Sequence, residues 1–449
     1  MGRLFGTDGI RGEANRYPMD AMTAFSIGQS VTKVLSRPHH TTRVIIGKDT
    51  RLSGYMLESA LESGVTSMGG VPYLVGVLPT PGIAFMTESM RADAGIVISA
   101  SHNPYQDNGI KVFSGTGQKL SDEQEARVED LVLDGNLPEM VALPHDMGRA
   151  FRLQDAAGRY IVFLKNTFPR SLSMEGMKIV LDTANGATYR VSPHAFEELG
   201  AEVTVIHDDP NGLNINERCG SQHTEDLRNA VIETGAAIGL AFDGDGDRLI
   251  AVDEHGHEIT GDQILLICAK MLNDAGRLQN DLVVSTVMSN LGFSLACKRL
   301  GFKNHAADVG DRYVLEDMRR LGAVIGGEQS GHTIFLEHHK TGDGTLTALQ
   351  LVAAMLASGQ PLSELAGLMD VLPQALVNVD VLSKPALDSV PAVADAIREV
   401  ESALGDEGRV LVRYSGTQNM CRVMVEGPDT ELTEKYATEL ADVVKAELG

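Results

Sequence analysis

The chain has 449 residues, more than a single hydrophobic core usually supports, and its length predicts roughly two to four domains. Hydrophobic residues make up 43% and charged residues 22%, which is typical of folded globular proteins and excludes extensive disorder. Since 38 Lys and Arg face 61 Asp and Glu, the formal net charge of −23 argues against sequence-independent binding of nucleic acid or anionic lipid.

The cysteines and the first residues indicate a reducing compartment. The four cysteines show no C-x-x-C spacing, so we expect neither a disulfide framework nor a zinc knuckle. The opening segment MGRLFGTDGIRG lacks the apolar core of a signal peptide, and no uninterrupted apolar run approaches the length of a membrane span. We therefore predict a cytoplasmic protein.

Three stretches of the chain repeat one order of predicted elements, and each ends in a polar, glycine-rich loop. The opening strands are RVIIG (43–47), MKIVLD (177–182) and DLVVST (281–286). The strands that run into the loops are AGIVISASHNP (94–104), AIGLAFDGDGD (237–247) and AVIGGEQSGH (323–332). Apolar residues at helical spacing indicate helices in the same stretches, as at Ala24, Phe25, Ile27, Val31, Val34 and Leu35.

This order predicts three mixed or parallel α/β units, whose loops we expect to meet beyond the carboxyl ends of the strands. A shorter unit follows from about residue 373. It contains the strands RVLVRYSG and CRVMVEG and a closing helix, ELTEKYATELADVVKAEL, and is predicted to be α+β.

The segment DGDGDR (243–248) concentrates negative charge between the predicted strands IGLAF and LIAV. Gly244 and Gly246 permit the chain to curl, so that the three carboxylates converge. Converging carboxylates repel one another unless a cation neutralises them, and Mg²⁺ prefers oxygen ligands. The segment therefore favours a metal site over a solvated acidic turn.

Two known types of aspartate-rich loop fit the DGDGDR segment less well. An EF-hand would place Glu254 at position 12 but requires Gly at position 6, where Arg248 stands. A haloacid-dehalogenase phosphatase would use the first Asp of D-x-D as nucleophile, but Asp247 stands where Thr or Val is usual. From the residues alone this second interpretation stays open.

Ser101 lies in SASHNP (99–104), directly after the strand GIVIS. Taken alone, this segment could be an ordinary polar loop, and the chain has no G-x-S-x-G elbow to support acyl transfer. Beside an aspartate trio, a serine hydroxyl could carry a phosphoryl group. As phosphoserine it would give the metal a fourth oxygen ligand.

Four motifs carry a resemblance to the alpha-D-phosphohexomutase family. SASHNP, DGDGDR, GEQSGH (327–332) and RYSGT (413–417) match its T/S-A-S-H-N-P, D-G-D-G-D-R, G-E-x-S-G-H and R-x-S-G-T in order and spacing, across essentially the whole chain. The resemblance implies an α/β fold with three similar mixed α/β domains and a smaller α+β C-terminal domain around a central cleft. We place the domain limits at 1–158 (phosphoserine loop), 159–256 (metal loop), 257–371 (sugar loop) and 372–449 (phosphate loop).

The same resemblance assigns the site residues. Mg²⁺ would be held by the phosphorylated Ser101 and by Asp243, Asp245 and Asp247. The groups at the reacting phosphoryl group would be Ser101, His102, Lys111, Arg11 and Arg248, with Lys48 and Arg51 in supporting electrostatic roles or as exposed surface charges. The sugar would be bound by Glu328, Ser330, His332, Gly310, Asp311 and Arg312. The other phosphate would be bound by Arg413, Ser415, Gly416, Thr417 and Arg422.

The family's glucosamine branch resembles this chain in Gln329 and in the segments GTDGIRG (6–12) and VGDRYV (309–314). This implies reversible conversion of glucosamine 6-phosphate to glucosamine 1-phosphate through a 1,6-bisphosphate, a step toward UDP-N-acetylglucosamine and cell-wall precursors. Glucose or mannose phosphates remain the alternative substrates. A catalytically silent phosphosugar-binding protein is the alternative class, but it need not keep Ser101 and the aspartates together.

The expected ligands follow from the same branch. The cofactor would be one Mg²⁺ per chain, with glucosamine 1,6-bisphosphate or a related bisphosphate as activator. The partner would be a small phosphosugar, with neither nucleic acid nor membrane. A homodimer and an activating kinase are left open as further partners.

Overall fold

The computed structural model describes residues 4–6, 8–135, 137, 141–415 and 419–449. They form two compact units. The first contains the described residues of Met1–Val287 and His305–Gly367, and the second contains those of Met288–Asn304 and Leu368–Gly449. Among the described residues, no helix is both long and apolar enough to cross a membrane.

The first sheet of the first unit has six strands. They are β1 (Ile10–Glu13), β2 (Arg43–Lys48), β3 (Val71–Val77), β4 (Ala94–Ile98), β5 (Asp107–Ser114) and β6 (Phe151–Arg152). Their spatial order is β1-β5-β4-β2-β3-β6, with β2 parallel to β3 and β4, and with β5 antiparallel to β1 and β4. The flanking helices are α1 (Ala21–Val34), α2 (Ser53–Ser67), α3 (Thr80–Ser89) and α4 (Asp122–Asp134). Val44, Ile45 and Ile46 are fully buried, as expected of a central parallel strand.

The second sheet has five strands. They are β7 (Lys178–Asp182), β8 (Glu202–Ile206), β9 (Ile238–Phe242), β10 (Leu249–Asp253) and β11 (Glu258–Ile259). Their order is β11-β10-β9-β7-β8; β7 is parallel to β8 and β9, and β10 is antiparallel to β9. The associated helices are α5 (Ala156–Thr167), α6 (Val191–Glu197) and α7 (Glu225–Thr234). The DGDGDR segment is the connection between β9 and β10.

The third sheet has four strands. They are β12 (Leu282–Thr286), β13 (Lys303–Ala307), β14 (Ile325–Gly327) and β15 (Thr333–Phe335), in the order β13-β12-β14-β15. Its helices in the first unit are α8 (Gly261–Asp274), α10 (Asp311–Leu321), α11 (Gly344–Ser358) and α12 (Leu362–Ala366), while α9 (Leu291–Leu300) belongs to the second unit. The GEQSGH segment runs from β14 into β15, which are antiparallel.

The second unit contains an antiparallel sheet of three strands. These are β16 (Gln374–Asp380), β17 (Arg409–Tyr414) and β18 (Met420–Glu426), with β18 in the centre. The helices α13 (Pro391–Leu404) and α14 (Thr430–Leu448) pack with the sheet around a core that includes Val423, Val425 and Leu440. The predicted fold class, mixed α/β sheets with a smaller α+β part, is confirmed, whereas the exact domain limits stay predictions.

Candidate active site

Three loops of the first unit lie against one another at strand ends. The Ser101 Oγ, in the loop after β4, donates a hydrogen bond to Asp243 Oδ2, after β9, at 2.6 Å. Arg248, before β10, forms an isolated antiparallel bridge with His332, and Leu249 N donates to Gly331 O at 3.1 Å. The serine, aspartate and glutamate loops therefore line one site.

The β9–β10 loop holds three carboxylates in the interior. Asp243, Asp245 and Asp247 are buried, and one ligand atom of each lies within 4.8 Å of the others. The Oδ1 atoms of Asp245 and Asp247 are buried without a hydrogen-bond partner in the described part of the chain. Unpaired buried carboxylate oxygens cost free energy, so this all-oxygen donor set fits a hard divalent cation such as Mg²⁺.

Two of these carboxyl groups, Asp243 and Asp247, have pKa values shifted in opposite directions. Burial, followed by the charges of Asp247 and Asp245, raises the pKa of Asp243 well above its ordinary value. Burial also acts to raise the pKa of Asp247, but a hydrogen bond from His332 and the charge of Lys111 outweigh burial and lower this pKa. The protein alone therefore disfavours the negative charge on Asp243, and a bound cation would stabilise it.

Lys111 is a buried cation beside this loop. Its Nζ lies 3.1 Å from Asp245 Oδ2, 3.1 Å from Asp8 Oδ2 and 3.9 Å from Asp247 Oδ2. Burial would lower the pKa of Lys111, but these carboxylates raise it above its ordinary value. Lys111 therefore stays protonated at neutral pH and is suited to stabilising negative charge rather than to accepting a proton.

Ser101 occupies a restricted backbone conformation at the tip of its loop. Its φ is +53° and its side chain is buried. The neighbouring His102 places Nδ1 3.3 Å from Ser101 Oγ. Burial, together with the charges of Arg248 and Arg11, lowers the pKa of His102 to about 4, so this imidazole is neutral at pH 7.

The Ser101 loop is held by side chains from outside it. Arg51 Nη2 donates to Ser101 O at 3.2 Å and to Asn103 O at 2.5 Å, while Asn216 Nδ2 donates to the same two oxygens at 2.9 Å each. Arg51 is fully buried and pairs with the buried Asp49. Arg51 is thus an internal support of the loop and not a surface charge.

The packing of the serine and aspartate loops is backbone against backbone. A Cβ atom at Gly244 would lie 2.6 Å from Ser101 O, closer than real Cβ contacts allow. A Cβ atom at Gly186 would likewise lie 2.5 Å from Gly244 O. These positions therefore require glycine because of close approach.

We expect Arg51→Met to lower the free energy of unfolding by about 3–5 kcal/mol, because it leaves the buried Asp49 without its cation. Denaturant unfolding of the full chain measures this. The matched control is Arg398→Met, since Arg398 pairs with Asp395 on the surface and should change stability little. Equal stability of the two variants would show that Arg51 does not support the loop.

The sugar-loop candidates occupy two environments. Glu328 Oε1 accepts a hydrogen bond from Gly310 N at 3.1 Å, and Ser330 Oγ donates to Glu328 Oε2 at 3.4 Å. Arg312, in contrast, pairs with Asp122 and Glu316. The structure therefore brings Glu328, Ser330 and Gly310 together, while Arg312 is engaged elsewhere.

The other two sugar-side candidates, His332 and Asp311, have partners in other segments of the site. His332 Nε2 accepts from Gly342 N at 3.1 Å, and His332 Nδ1 lies 3.6 Å from Asp247 Oδ2. Asp311, the first residue of α10, accepts from Lys119 Nζ at 2.8 Å. His332 thus connects the sugar loop with the metal loop.

Several site residues carried no recognisable sequence signal. Lys119 Nζ lies 2.6 Å from Asp8 Oδ1 as well as contacting Asp311, so it connects the start of the chain with α10. Asp8 also pairs with Arg11. Thr80 Oγ1 donates to Asp245 Oδ2 at 2.7 Å. Of Lys119, Asp8 and Thr80, only Asp8 lies within a motif described above, GTDGIRG (6–12).

Lys48 is a second buried cation of the region. It pairs with the buried Glu58, so it is neither a surface charge nor directed at the carboxylate trio. Its pairing requires α2 to be placed over the end of β2, which the local sequence does not reveal.

The second unit contains a separate cationic pair. Arg413 and Arg422 are directly opposite each other on β17 and β18. Burial and the charge of Arg422 lower the pKa of Arg413, and Arg422 Nε is buried with no hydrogen-bond partner among the residues described. Like charges opposed across a ladder are unfavourable, so the pair fits an anion. Ser415 N donates to Met420 O at 2.8 Å, whereas Gly416 and Thr417 lie outside the described residues.

Four models of phosphoglucomutase/phosphomannomutase domains match the chain. They are the alpha/beta/alpha domain I at residues 2–138, domain II at 158–256, domain III at 260–372 and the C-terminal domain at 376–443. The chain therefore belongs to the phosphoglucomutase/phosphomannomutase family. This confirms the resemblance inferred from the four motifs.

Within this family, two similar curated proteins are phosphoglucosamine mutases. The phosphoglucosamine mutase of Syntrophobacter fumaroxidans is 74% identical over 449 residues, and that of Syntrophus aciditrophicus is 60% identical, each alignment covering all of both chains. A phosphoglucomutase/phosphomannomutase family protein of Burkholderia thailandensis has a similar fold, with a TM-score of 0.81 at 24% identity, covering 99% of this chain and 97% of that one.

Proposed function

We propose that the protein interconverts glucosamine 6-phosphate and glucosamine 1-phosphate through a phosphorylated Ser101 and a 1,6-bisphosphate intermediate. The observation that carries this proposal is the position of Ser101 Oγ, 2.6 Å from one carboxylate of a buried trio that fits a cation. The choice of sugar is supported by the name of the relatives that are 53–74% identical over nearly the full chain.

Two balanced transfers would complete the reaction. In the first, the free sugar hydroxyl attacks the phosphorus on Ser101, the bond from phosphorus to Oγ breaks, and the bisphosphate forms. In the second, Oγ attacks the other phosphorus of the bisphosphate, the bond from that phosphorus to the sugar oxygen breaks, and this oxygen takes the proton back, so that the product leaves with a hydroxyl there. The neutral His102 is the candidate to take the proton from the attacking sugar hydroxyl, while Lys111, Arg11 and Arg248 would stabilise the transferring oxygens.

We propose that Mg²⁺ is held by Asp243, Asp245, Asp247 and the phosphate on Ser101. When bound, it would neutralise charge on the transferring phosphoryl group. The donor set supports this, since it offers only oxygens and leaves two of them unpaired. A fungal N-acetylphosphoglucosamine mutase from Aspergillus fumigatus with a related fold, at TM-score 0.70 and 17% identity, was determined with GlcNAc-6P and magnesium, and the comparison covers 99% of this chain and 96% of that one.

Further parts of the prediction remain proposals. The activator would be glucosamine 1,6-bisphosphate or a related bisphosphate, which can phosphorylate Ser101 and leave a monophosphate. The protein would act in the cytoplasm, and its four buried cysteines, none in a disulfide, are consistent with reducing conditions. A homodimer and an activating kinase stay predictions.

We expect a preference for glucosamine phosphates over glucose and mannose phosphates. Glu328 is an acidic group that suits an ammonium, but it also accepts from a hydroxyl, so the preference would be modest. A coupled assay that offers all three 6-phosphates to the same phosphorylated enzyme measures the relative kcat/KM. Equal values for glucosamine and glucose would remove the reason for assigning the glucosamine branch.

The phosphate that does not react would be bound by Arg413, Ser415, Thr417 and Arg422. We expect Arg413→Ala to raise KM about tenfold or more, because each charged hydrogen bond contributes about 1.5–3 kcal/mol. The intermediate must turn end for end, so weaker binding should also lower kcat and release more free bisphosphate. Steady-state kinetics and bisphosphate analysis measure these effects, and phosphorylation of Ser101 serves as the control that should persist. If KM and the release of free bisphosphate were both unchanged, the segment that contains Arg413 and Arg422 would be a structural hairpin.

A further inference from the structure

A second cluster of metal-ligating side chains lies in the second sheet. Asp182 is the last residue of β7, His207 follows β8, and Cys219 lies in the connection that leads to α7. One ligand atom from each lies within 4.8 Å of the others. The cluster therefore combines one oxygen, one nitrogen and one sulfur donor, unlike the all-oxygen trio near Ser101.

The geometry of this cluster is that of groups facing a common atom. His207 Nδ1 is buried and lies 3.1 Å from Asp182 Oδ2, an ion-pair distance at which the two groups are not aligned for a hydrogen bond. Two ligands of a tetrahedral zinc ion lie about 3.3 Å apart, given metal–ligand bonds of about 2.0–2.1 Å. Cys219 is 1% exposed, and its Sγ is 4.0 Å from Asn185 Nδ2. The ring nitrogen faces the Asp182 carboxylate, and the thiol sulfur accepts only a long hydrogen bond, from Asn185.

The surroundings hold these side chains in place. Ala184 N and Gly220 N donate to the two oxygens of Asp182 at 2.9 and 2.8 Å. On the other side of the ring, His207 Nε2 lies 3.3 Å from Asp226 Oδ2. A carboxylate on the second nitrogen of a ligating histidine is the usual arrangement around protein-bound zinc.

A cavity of about 460 Å³ lies beside His207. It is lined by His207, Glu217, Arg218, His223, Glu225 and Asp226. Three of these residues carry carboxylates, beside one arginine and two histidines.

We propose that Asp182, His207 and Cys219 form a binding site for Zn²⁺ or a similar thiophilic divalent cation, separate from the site proposed for Mg²⁺. Sulfur and imidazole donors favour such ions over Mg²⁺, which prefers oxygen alone. The donors come from three segments of the chain and include one cysteine. The proposed site is therefore not a zinc knuckle, which needs closely spaced cysteines.

A metal bound here would affect the Ser101 loop through the segment that contains Cys219. Asn216, three residues earlier, donates to the carbonyl oxygens of Ser101 and Asn103 and is itself bonded through its backbone to Ala184 O at 2.9 Å. A metal bound to Cys219 and Asp182 would therefore stabilise the segment that supports the Ser101 loop. Its role would be structural.

The probe is Co²⁺, added to the full-length protein in excess Mg²⁺. We expect thiolate-to-cobalt charge-transfer absorption in the near ultraviolet, which stoichiometric Zn²⁺ removes. Cys219→Ser should abolish this absorption, while Cys268→Ser, which changes a buried core cysteine in α8, should retain it. Absence of the absorption in the wild-type protein, or its persistence in Cys219→Ser, would overturn the proposal.

Thermal unfolding provides a second readout that does not depend on the thiol. Zn²⁺ should raise the Tm of the wild-type protein, since a ligand that binds the native state stabilises it. The increase should be lost in His207→Gln, whose side chain is partly exposed, and kept in Asp243→Asn at the other site. Equal increases in wild type and His207→Gln would contradict the assignment.

Discussion

Replacement of Ser101 by Ala is expected to lower kcat at least about 10³-fold, as loss of a covalent nucleophile does in other enzymes. The fold should persist, because the change removes one hydroxyl and its hydrogen bond to Asp243. Steady-state kinetics measure turnover, and phosphopeptide mapping of the wild-type protein should find the phosphate on Ser101.

The control for this variant is Ser114→Ala, which removes a hydroxyl at the end of β5. It should retain turnover. If Ser101→Ala kept near-normal activity while Asp243→Ala lost a phosphoaspartate, the dehalogenase-like interpretation of the DGDGDR segment would replace the present one.

Removal of the metal is the second change with a large expected effect. EDTA should abolish turnover, and Asp245→Asn should raise the Mg²⁺ concentration for half-maximal activity at least about tenfold. The amide of Asn keeps an acceptor for Thr80 but removes one negative charge from the trio. Activity titrations with Mg²⁺, together with calorimetric measurement of Mg²⁺ binding, separate loss of affinity from loss of chemistry.

Asp208→Asn is the matched control, because Asp208 is an exposed aspartate of the same sheet region. Its Mg²⁺ dependence should equal that of the wild type. Full activity in metal-free buffer would refute the assignment of the trio as a metal site.

The loop-bearing strands were predictable because their signals are local. β4 and β9 are short apolar runs that end in polar motifs, and DGDGDR is identifiable from six consecutive residues. β16 was not predicted. It alternates between exposed and half-buried residues along most of its length, and it lies at the edge of its sheet, so its pattern is weak.

The supports of the site could not be predicted for a different reason. Lys119 and Asn216 are distinguished by partners that lie far away in sequence, and a charged or amide residue has the same letter whether buried or exposed; for Arg51 the sequence left a supporting role and a surface charge both open. Lys119 contacts Asp311, 192 residues further along the chain, and Asn216 contacts Ser101, 115 residues earlier. Only the packing of the domains identifies such residues as part of the site.

The close approach of Gly244 to the Ser101 carbonyl limits how far the serine loop and the metal loop can move apart during a reaction cycle. The main chain at Gly244 packs against the carbonyl of Ser101, and the main chain at Gly186 packs against Gly244. The distance between the serine and the carboxylates is therefore set by backbone contacts, which a change of side-chain rotamer does not alter. A bisphosphate that has to reverse its direction needs free volume around it. We therefore expect this volume to be created outside these two loops, while the serine loop and the metal loop keep a fixed spacing throughout the cycle.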